Sequence, residues 1–186
     1  MQLIKNYFEY MRDPSAALKS LIQVPSFKQS CWGYFVAALS WVLFFNIGDE
    51  LSVPVFLLKL LILFVAELTA GCFVAALSGL FLTFRQKNIS SAQLFVLIGS
   101  AGFIKSLLIA FALISAVWPE AALWMLAPVA LLLVFALQLG YLTMALQRVS
   151  GTSVSLGLLA WLFGAVPVGV LFALLGVFFV WMILLI

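Results

Sequence analysis

The sequence predicts an all-α integral membrane protein: a bundle of five transmembrane helices preceded by one or two amphipathic interfacial helices. Composition is the first reason. Of 186 residues, 67% are hydrophobic and 8% charged, with a mean hydropathy of +1.30; soluble chains run about 45–50% apolar and about 25% charged. So few charges cannot cover a water-facing surface. The second reason is that apolar runs long enough to cross about 30 Å of hydrocarbon recur along the chain. The third is that none of them alternates with a period of two, which rejects a barrel.

Residues 1–28 read as a cytoplasmic-side leader. Leu3, Ile4, Tyr7, Phe8 and Met11 fall on one helical stripe with Lys5, Asn6, Glu9 and Arg12 opposite, the pattern of a helix lying in the interface. Asp13-Pro14 reads as a cap with proline at the first helical position, and Pro25 closes a second short helix. The leader lacks the apolar core and small-residue cleavage site of a signal peptide.

Residues 29–186 form the transmembrane domain. Its spans are predicted at about 32–47, 55–84, 92–117, 121–146 and 154–186. Asp49, Glu50 and Pro54 end the first, and Arg85-Gln86-Lys87-Asn88 the second. Trp118-Pro119-Glu120 ends the third, Gln147-Arg148 the fourth, and Ser150-Gly151-Thr152-Ser153 caps the fifth. As one straight helix the last run would extend to about 50 Å. Gly164, Pro167 and Gly169 near its middle are the expected hinge, and a single kinked span is preferred to a broken hairpin.

Orientation follows from the basic residues. Lys5, Arg12, Lys19 and Lys28 precede the first span, Arg85 and Lys87 follow the second, and Arg148 follows the fourth, whereas the first and third loops carry only Asp49, Glu50 and Glu120. The N-terminus is therefore expected in the cytoplasm and the C-terminus outside. The net charge of +3 is a topology signal, with no basic stripe to engage nucleic acid.

An ionisable group inside a span is a functional-site hypothesis. Lys59 lies near the start of the second span and is expected to snorkel outward. Glu67 and Lys105 lie mid-span, 20 residues before and 18 after Lys87, so their depths agree within about 3 Å. Glu67, Gly71, Ala75 and Gly79 share one ridge, a helix-packing surface of small residues. Ala101, Lys105, Ala112 and Ala116 share a narrow arc of the third span. An intramembrane Glu67–Lys105 pair is expected, with Gln138 and Tyr141 on the fourth span completing a polar patch that Lys59 could join. Two readings compete: a proton or substrate site, or a structural pair fixing the register of two helices.

Other chemistry is excluded by residue type. The chain has no histidine, so imidazole triads and histidine-ligated metals are ruled out. Cys31 and Cys72 lie at different depths and read as fillers rather than a disulfide. No cofactor and no metal are expected.

The order of parts, a short leader with Asp13-Pro14 and Val24-Pro25 followed by closely spaced spans, resembles the Yip-domain family of polytopic membrane proteins, which has many short bacterial members. The run Gly140-Tyr141-Leu142-Thr143-Met144-Ala145-Leu146-Gln147-Arg148 before Gly151-Thr152-Ser153 is similar to that family's junction between the fourth and fifth spans. The chain lacks the long N-terminal region and the Asp-Leu-Tyr-Gly-Pro-like signature of eukaryotic members, and no functional residue is carried over. The resemblance implies a multi-pass bacterial inner-membrane protein that organises membranes or partners rather than catalysing a reaction.

The sequence thus predicts a non-enzymatic adaptor, assembly partner or lipid-organising factor. Its expected partners are membrane lipids and another protein, or further copies of itself, within the bilayer. The alternative is a small transporter or lipid flippase working through Glu67 and Lys105.

Overall fold

The computed structural model describes residues 26–46, 52–117 and 126–184. The predicted leader up to residue 25, the acidic turn at 47–51, the third loop with the start of the fourth span at 118–125, and residues 185–186 lie outside the described residues. All elements among the described residues are helical: α1 (Phe27–Phe45), α2 (Val53–Phe84), α3 (Ser91–Ala101), a 3-10 segment (Gly102–Ser106), α4 (Leu107–Val117), α5 (Ala127–Ser150) and α6 (Val154–Leu184).

Among the described residues, four segments are long and apolar enough to cross a bilayer: Val53–Phe84, Ser91–Val117, Ala127–Ser150 and Val154–Val177. The molecule is thus an all-helical, membrane-embedded protein. α1 is not among the four, where the sequence predicted five crossings. Its Lys28, Gln29, Ser30 and Ser40 dilute an otherwise apolar run. Outward faces carry Leu61 (59% exposed), Ile62 and Leu132 (70% exposed), an arrangement that suits hydrocarbon and would be costly in water.

The helix ends follow local chemistry that hydropathy does not report. α1 starts five residues before the predicted Trp32 because the Ser26 hydroxyl accepts from Gln29 N (3.3 Å). α2 begins at Val53 with Pro54 in its first turn. It ends where Gln86, at φ 57°, takes the left-handed position usual for glycine. Lys87 N then donates to Leu82 O (2.9 Å) and Gln86 N to Thr83 O (3.0 Å). Ser90 and Gln93 form a capping box at α3. α5, described from Ala127, runs past the predicted end at 146 to Ser150, and its predicted start at 121 lies outside the described residues. There Gly151, at φ 60°, terminates it, and its N–H donates to Gln147 O (2.8 Å). A glycine suits this position because it carries no Cβ penalty at positive φ.

Two differences bear on the site. The third span is not one α-helix: Gly102–Ser106 narrows to 3-10 geometry. Ser100 Oγ and Ser106 Oγ each donate to a carbonyl three residues back, Leu97 O and Phe103 O, both at 2.7 Å, and such side-chain bonds compete with the α ladder. The glycine at 102 weakens the helix further. The last span, in contrast, is a single helix. Pro167 sits inside α6, which continues to Leu184, and the hairpin alternative falls.

The core is built around α1 and the third span. Tyr34, Leu82, Leu94, Phe103, Leu108, Leu146 and Trp161 are its large buried side chains. Over half of the Ser91–Val117 window is buried (56%), against 11% for the window in α2, so the third span is the axis about which the others pack. α1 meets it backbone to backbone: a Cβ on Gly33 would collide with the carbonyl of Gly99, and one on Gly102 would stand 2.6 Å from Gly33 O. Small residues allow this approach where no hydrophobic force drives helices together in lipid. Ser30 Oγ (3.3 Å) and Tyr34 OH (3.0 Å) both donate to Phe95 O across the contact.

Candidate intramembrane polar site

Three elements meet at one carboxylate. Glu67 lies in the middle of α2, Lys105 in the 3-10 segment and Trp41 in the second half of α1. Glu67 Oε1 accepts from Lys105 Nζ (2.5 Å) and from Trp41 Nε1 (2.7 Å). The Lys105 ammonium also stands over the Trp41 ring, 5.4 Å from its centroid, so the indole contacts the cation with its face and the anion with its N–H. The Lys105 and Glu67 side chains are 13% and 17% exposed. Two charges at this depth are tolerable because each neutralises the other and further hydrogen bonds are made.

The pair borders two cavities. One, of about 160 Å³, lies between α2, the third span, α5 and α6; Gly71, Ile98, Gln138, Leu142 and Trp161 line it with Glu67 and Lys105. The other, of about 380 Å³, is a shallower recess open to the protein's outer surface, formed by Trp41, Phe45, Leu63, Ala66 and Phe172 with the same two charged residues. Ala70 lines both. By sequence position the first cavity reaches toward the end of the bundle that carries Arg85, and the second toward the end that carries Asn46 and Lys59. Trp161 is 1% exposed, and its indole N–H has no hydrogen-bond partner. An orphaned buried donor of this kind is uncommon in native structures.

The structure divides the remaining sequence-predicted residues. Gln138 joins Glu67 and Lys105 at the smaller cavity. Tyr141 does not line either cavity; its hydroxyl lies 3.5 Å from Ser100 Oγ. Lys59 is also separate, because its ammonium donates to the Asn46 side chain, which in turn donates to Val42 O (2.7 Å). Lys59 is eight positions from Glu67, roughly 12 Å along the helix, so the patch expected to include Lys59 and Tyr141 does not assemble around the pair.

Gly71, Ala75 and Gly79 are buried and receive two different helices. Gly71 lies against the Tyr34 ring of α1, and Gly79 against Ser91 and Leu94 of α3. The arc of the third span is broken by the 3-10 turn: Ala101 and Ala112 are fully buried, but Ala116 is exposed. Of the expected hinge, Gly164 is a packing contact, since a Cβ there would meet Ser78 Oγ and would stand 2.7 Å from Val74 O. Ser78 Oγ donates to Ala160 O (2.9 Å) at the same crossing. Gly169 has open space around it. Cys31 and Cys72 are both exposed and free.

Sequence reasoning did not single out Trp41 or Trp161, because tryptophan in a membrane protein ordinarily sits at the interfaces. Their depth was the available signal: Trp41 lies well inside its span and Trp161 eight positions into α6, away from the interfacial belts where tryptophan usually sits. No known protein family, no curated protein and no solved structure matches this chain.

Proposed function

We propose that this chain is a non-enzymatic, five-span membrane protein that moves small solutes through an intramembrane site centred on Glu67 and Lys105. The observation that carries the reading is the position of the ion pair between two cavities that share Glu67, Ala70 and Lys105. A polar group near the bilayer midplane with space on both sides is what alternating access requires. In this reading α1 is the first crossing. At 19 residues it extends about 28 Å, and it is packed into the bundle by Ser30, Gly33, Tyr34 and Ala37. Five crossings would leave the two termini on opposite sides, and the basic loops favour a cytoplasmic N-terminus in a bacterial inner membrane.

A second reading rests on the same contact seen mechanically. Trp41, Glu67 and Lys105 tie three elements together, which suits a clasp in a Yip-like adaptor, assembly partner or lipid-organising protein. Thiol accessibility separates the two. In a Cys31→Ala, Cys72→Ala background, Ala70→Cys, Leu142→Cys and Phe172→Cys are exposed to a membrane-impermeant thiol reagent from each face of sealed vesicles. A transport site predicts modification of Leu142→Cys from one face, Phe172→Cys from the other and Ala70→Cys from both. A clasp predicts that Ala70→Cys stays unmodified from both faces.

A further inference from the structure

The recess that opens at the outer surface is bounded on one side by the far half of α6. In the near half of that helix one stripe, Gly157, Ala160, Trp161, Gly164 and Val168, is buried in the bundle. The stripe continues as Phe172 and Leu175, yet every residue from Gly169 to Val177 is exposed. Pro167 stands at the change, and it has no N–H to give to the helix ladder. α6 therefore packs with its first half and stands clear with its second, and the recess lies where Phe172 faces α1 and α2. Apart from the ion pair, its walls are Trp41, Phe45, Leu63, Ala66, Ala70 and Phe172. Phe45 directly precedes Asn46, and Leu63 is four positions from Lys59, so the recess runs inward from beside the Asn46–Lys59 bond to the pair. There the lining turns polar. The Glu67 and Lys105 side chains both keep accessible surface and both border the recess. Both hydrogen bonds to Glu67 end on Oε1, so among the described residues Oε2 is left to accept. The ammonium has three protons and gives one to Glu67.

A hydrophilic solute entering from this side would shed its hydration among side chains that offer no replacement until the pair is reached. A molecule already dissolved in the bilayer meets that cost only at its head group. Its tail exchanges lipid for apolar side chains, which are equally good company for hydrocarbon. The head then finds a donor and an acceptor side by side, and a hydroxyl matches both. Charge is already balanced, because Glu67 and Lys105 are bonded to one another. An ionic head would add an uncompensated charge to a low-dielectric site, whereas an uncharged head adds none. We propose that the recess binds a membrane-dissolved, single-chain amphiphile with an uncharged hydroxyl head, the head hydrogen-bonded to Glu67 and Lys105 and the tail lying between Phe45, Leu63 and Phe172. This names the substrate class of the transport reading above and rests on it: the solute is drawn sideways from the leaflet on the Lys59 side.

The test uses the full chain in lipid nanodiscs and hexadecanol carrying a diazirine in mid-chain, which on irradiation labels the side chains it touches. Peptide mass spectrometry then locates the label. Labelling is expected at Phe45, Leu63 or Phe172 well above that at the lipid-facing Leu61 and Leu132, and excess unlabelled hexadecanol should suppress it. Hexadecyl sulfate and hexadecyltrimethylammonium in the same excess should not, nor should butanol, which has the head without the tail. The double substitution Glu67→Gln with Lys105→Met should weaken competition by hexadecanol about five- to tenfold, the loss of one buried hydrogen bond. Ala66→Phe fills the recess and should abolish labelling there while the protein stays monodisperse. The competition series is read on the unaltered chain, so it decides the matter even if a variant does not fold. Equal labelling of recess and lipid-facing positions, competition by either ion or by butanol as strong as by hexadecanol, or undiminished recess labelling in folded Ala66→Phe overturns the proposal. Saturable recess labelling in a protein whose Ala70→Cys is never modified would sink transport and leave the amphiphile site standing. Two-faced accessibility without saturable labelling would do the reverse.

Discussion

The same three segments, α1, α2 and the third span, meet twice, and the two meetings are built on opposite principles. In one, Gly33 faces Gly99 and Gly102, and Tyr34 lies on Gly71. At Gly33 the first two backbones touch with no side chain between them, and Ser30 and Tyr34 both donate hydrogen bonds to a single carbonyl, Phe95 O. One or two turns along, the contact consists of three long side chains, Trp41, Glu67 and Lys105, with a cavity on either side. Close packing in lipid is obtained by removing side chains so that dispersion acts between backbones. Where the protein keeps long polar side chains it also keeps space. The first meeting holds the helices in place; the second is where something other than protein can fit.

The largest expected effect comes from the first meeting. Gly33→Leu forces a branched side chain into the Gly99 carbonyl, and because backbone cannot rotate aside the two helices must separate, a larger loss than the roughly 1–3 kcal/mol of ordinary core overpacking. Loss of monodisperse protein on size exclusion in detergent is the expected result. A normally folded Gly33→Leu would mean that the contact is looser than described.

Breaking the ion pair comes next. Lys105→Met or Glu67→Gln alone leaves one partner without its counter-charge and should destabilise by about 3–5 kcal/mol, whereas the double substitution should recover most of that. Thermal denaturation of the four proteins in one lipid gives the coupling directly. Purely additive losses would show that the two charges act independently and would remove the basis for treating them as one site. The swap Glu67→Lys with Lys105→Glu restores the ion pair but leaves the Trp41 N–H without its carboxylate acceptor at position 67, so it should recover less stability than the neutral double substitution.

A smaller effect is expected at Trp41. Trp41→Phe keeps a ring beneath Lys105 but removes the N–H donated to Glu67, a bond to a charged acceptor worth about 1.5–3 kcal/mol. Trp41→Phe and Glu67→Gln should therefore be non-additive. The smallest effect is predicted at Gly169, which has open space around it. Gly169→Ala should change the melting temperature little or raise it slightly through helix propensity, worth up to about 1 kcal/mol. If Gly169→Ala instead abolishes solute movement without changing stability, α6 bends there in use, and the hinge expected from the sequence gains a position.

Much of the architecture was legible because hydrophobic periodicity and length carry it directly. The spans at 55–84 and 92–117 match α2 and the third span to within a residue or two. Glu67 and Lys105 were legible as neighbours because depth can be counted from the turn at Lys87. What escaped was written in less repetitive chemistry. The start of α1 depends on one hydroxyl, that of Ser26; the end of α5 depends on Gly151, not on the polar pair Gln147-Arg148. The 3-10 segment arises from Ser100, Gly102 and Ser106 acting against a backbone that approaches from another helix, and no local pattern announces such a tertiary contact. Lys59 shows the converse. A lysine inside a span looked available to the polar centre, but its ammonium donates a hydrogen bond to Asn46, just beyond the end of α1.

The five-residue 3-10 stretch that carries Lys105 is also a length of chain wound to a different pitch. It rises about 2.0 Å per residue where an α-helix rises about 1.5 Å. Rewinding Gly102–Ser106 to α pitch would shorten it by about 2.5 Å and turn the lysine around the helix axis. That displacement is comparable to the length of the bond between Lys105 and Glu67, so a small change in winding is enough to couple or uncouple the two charges while α3 and α4 remain intact on either side.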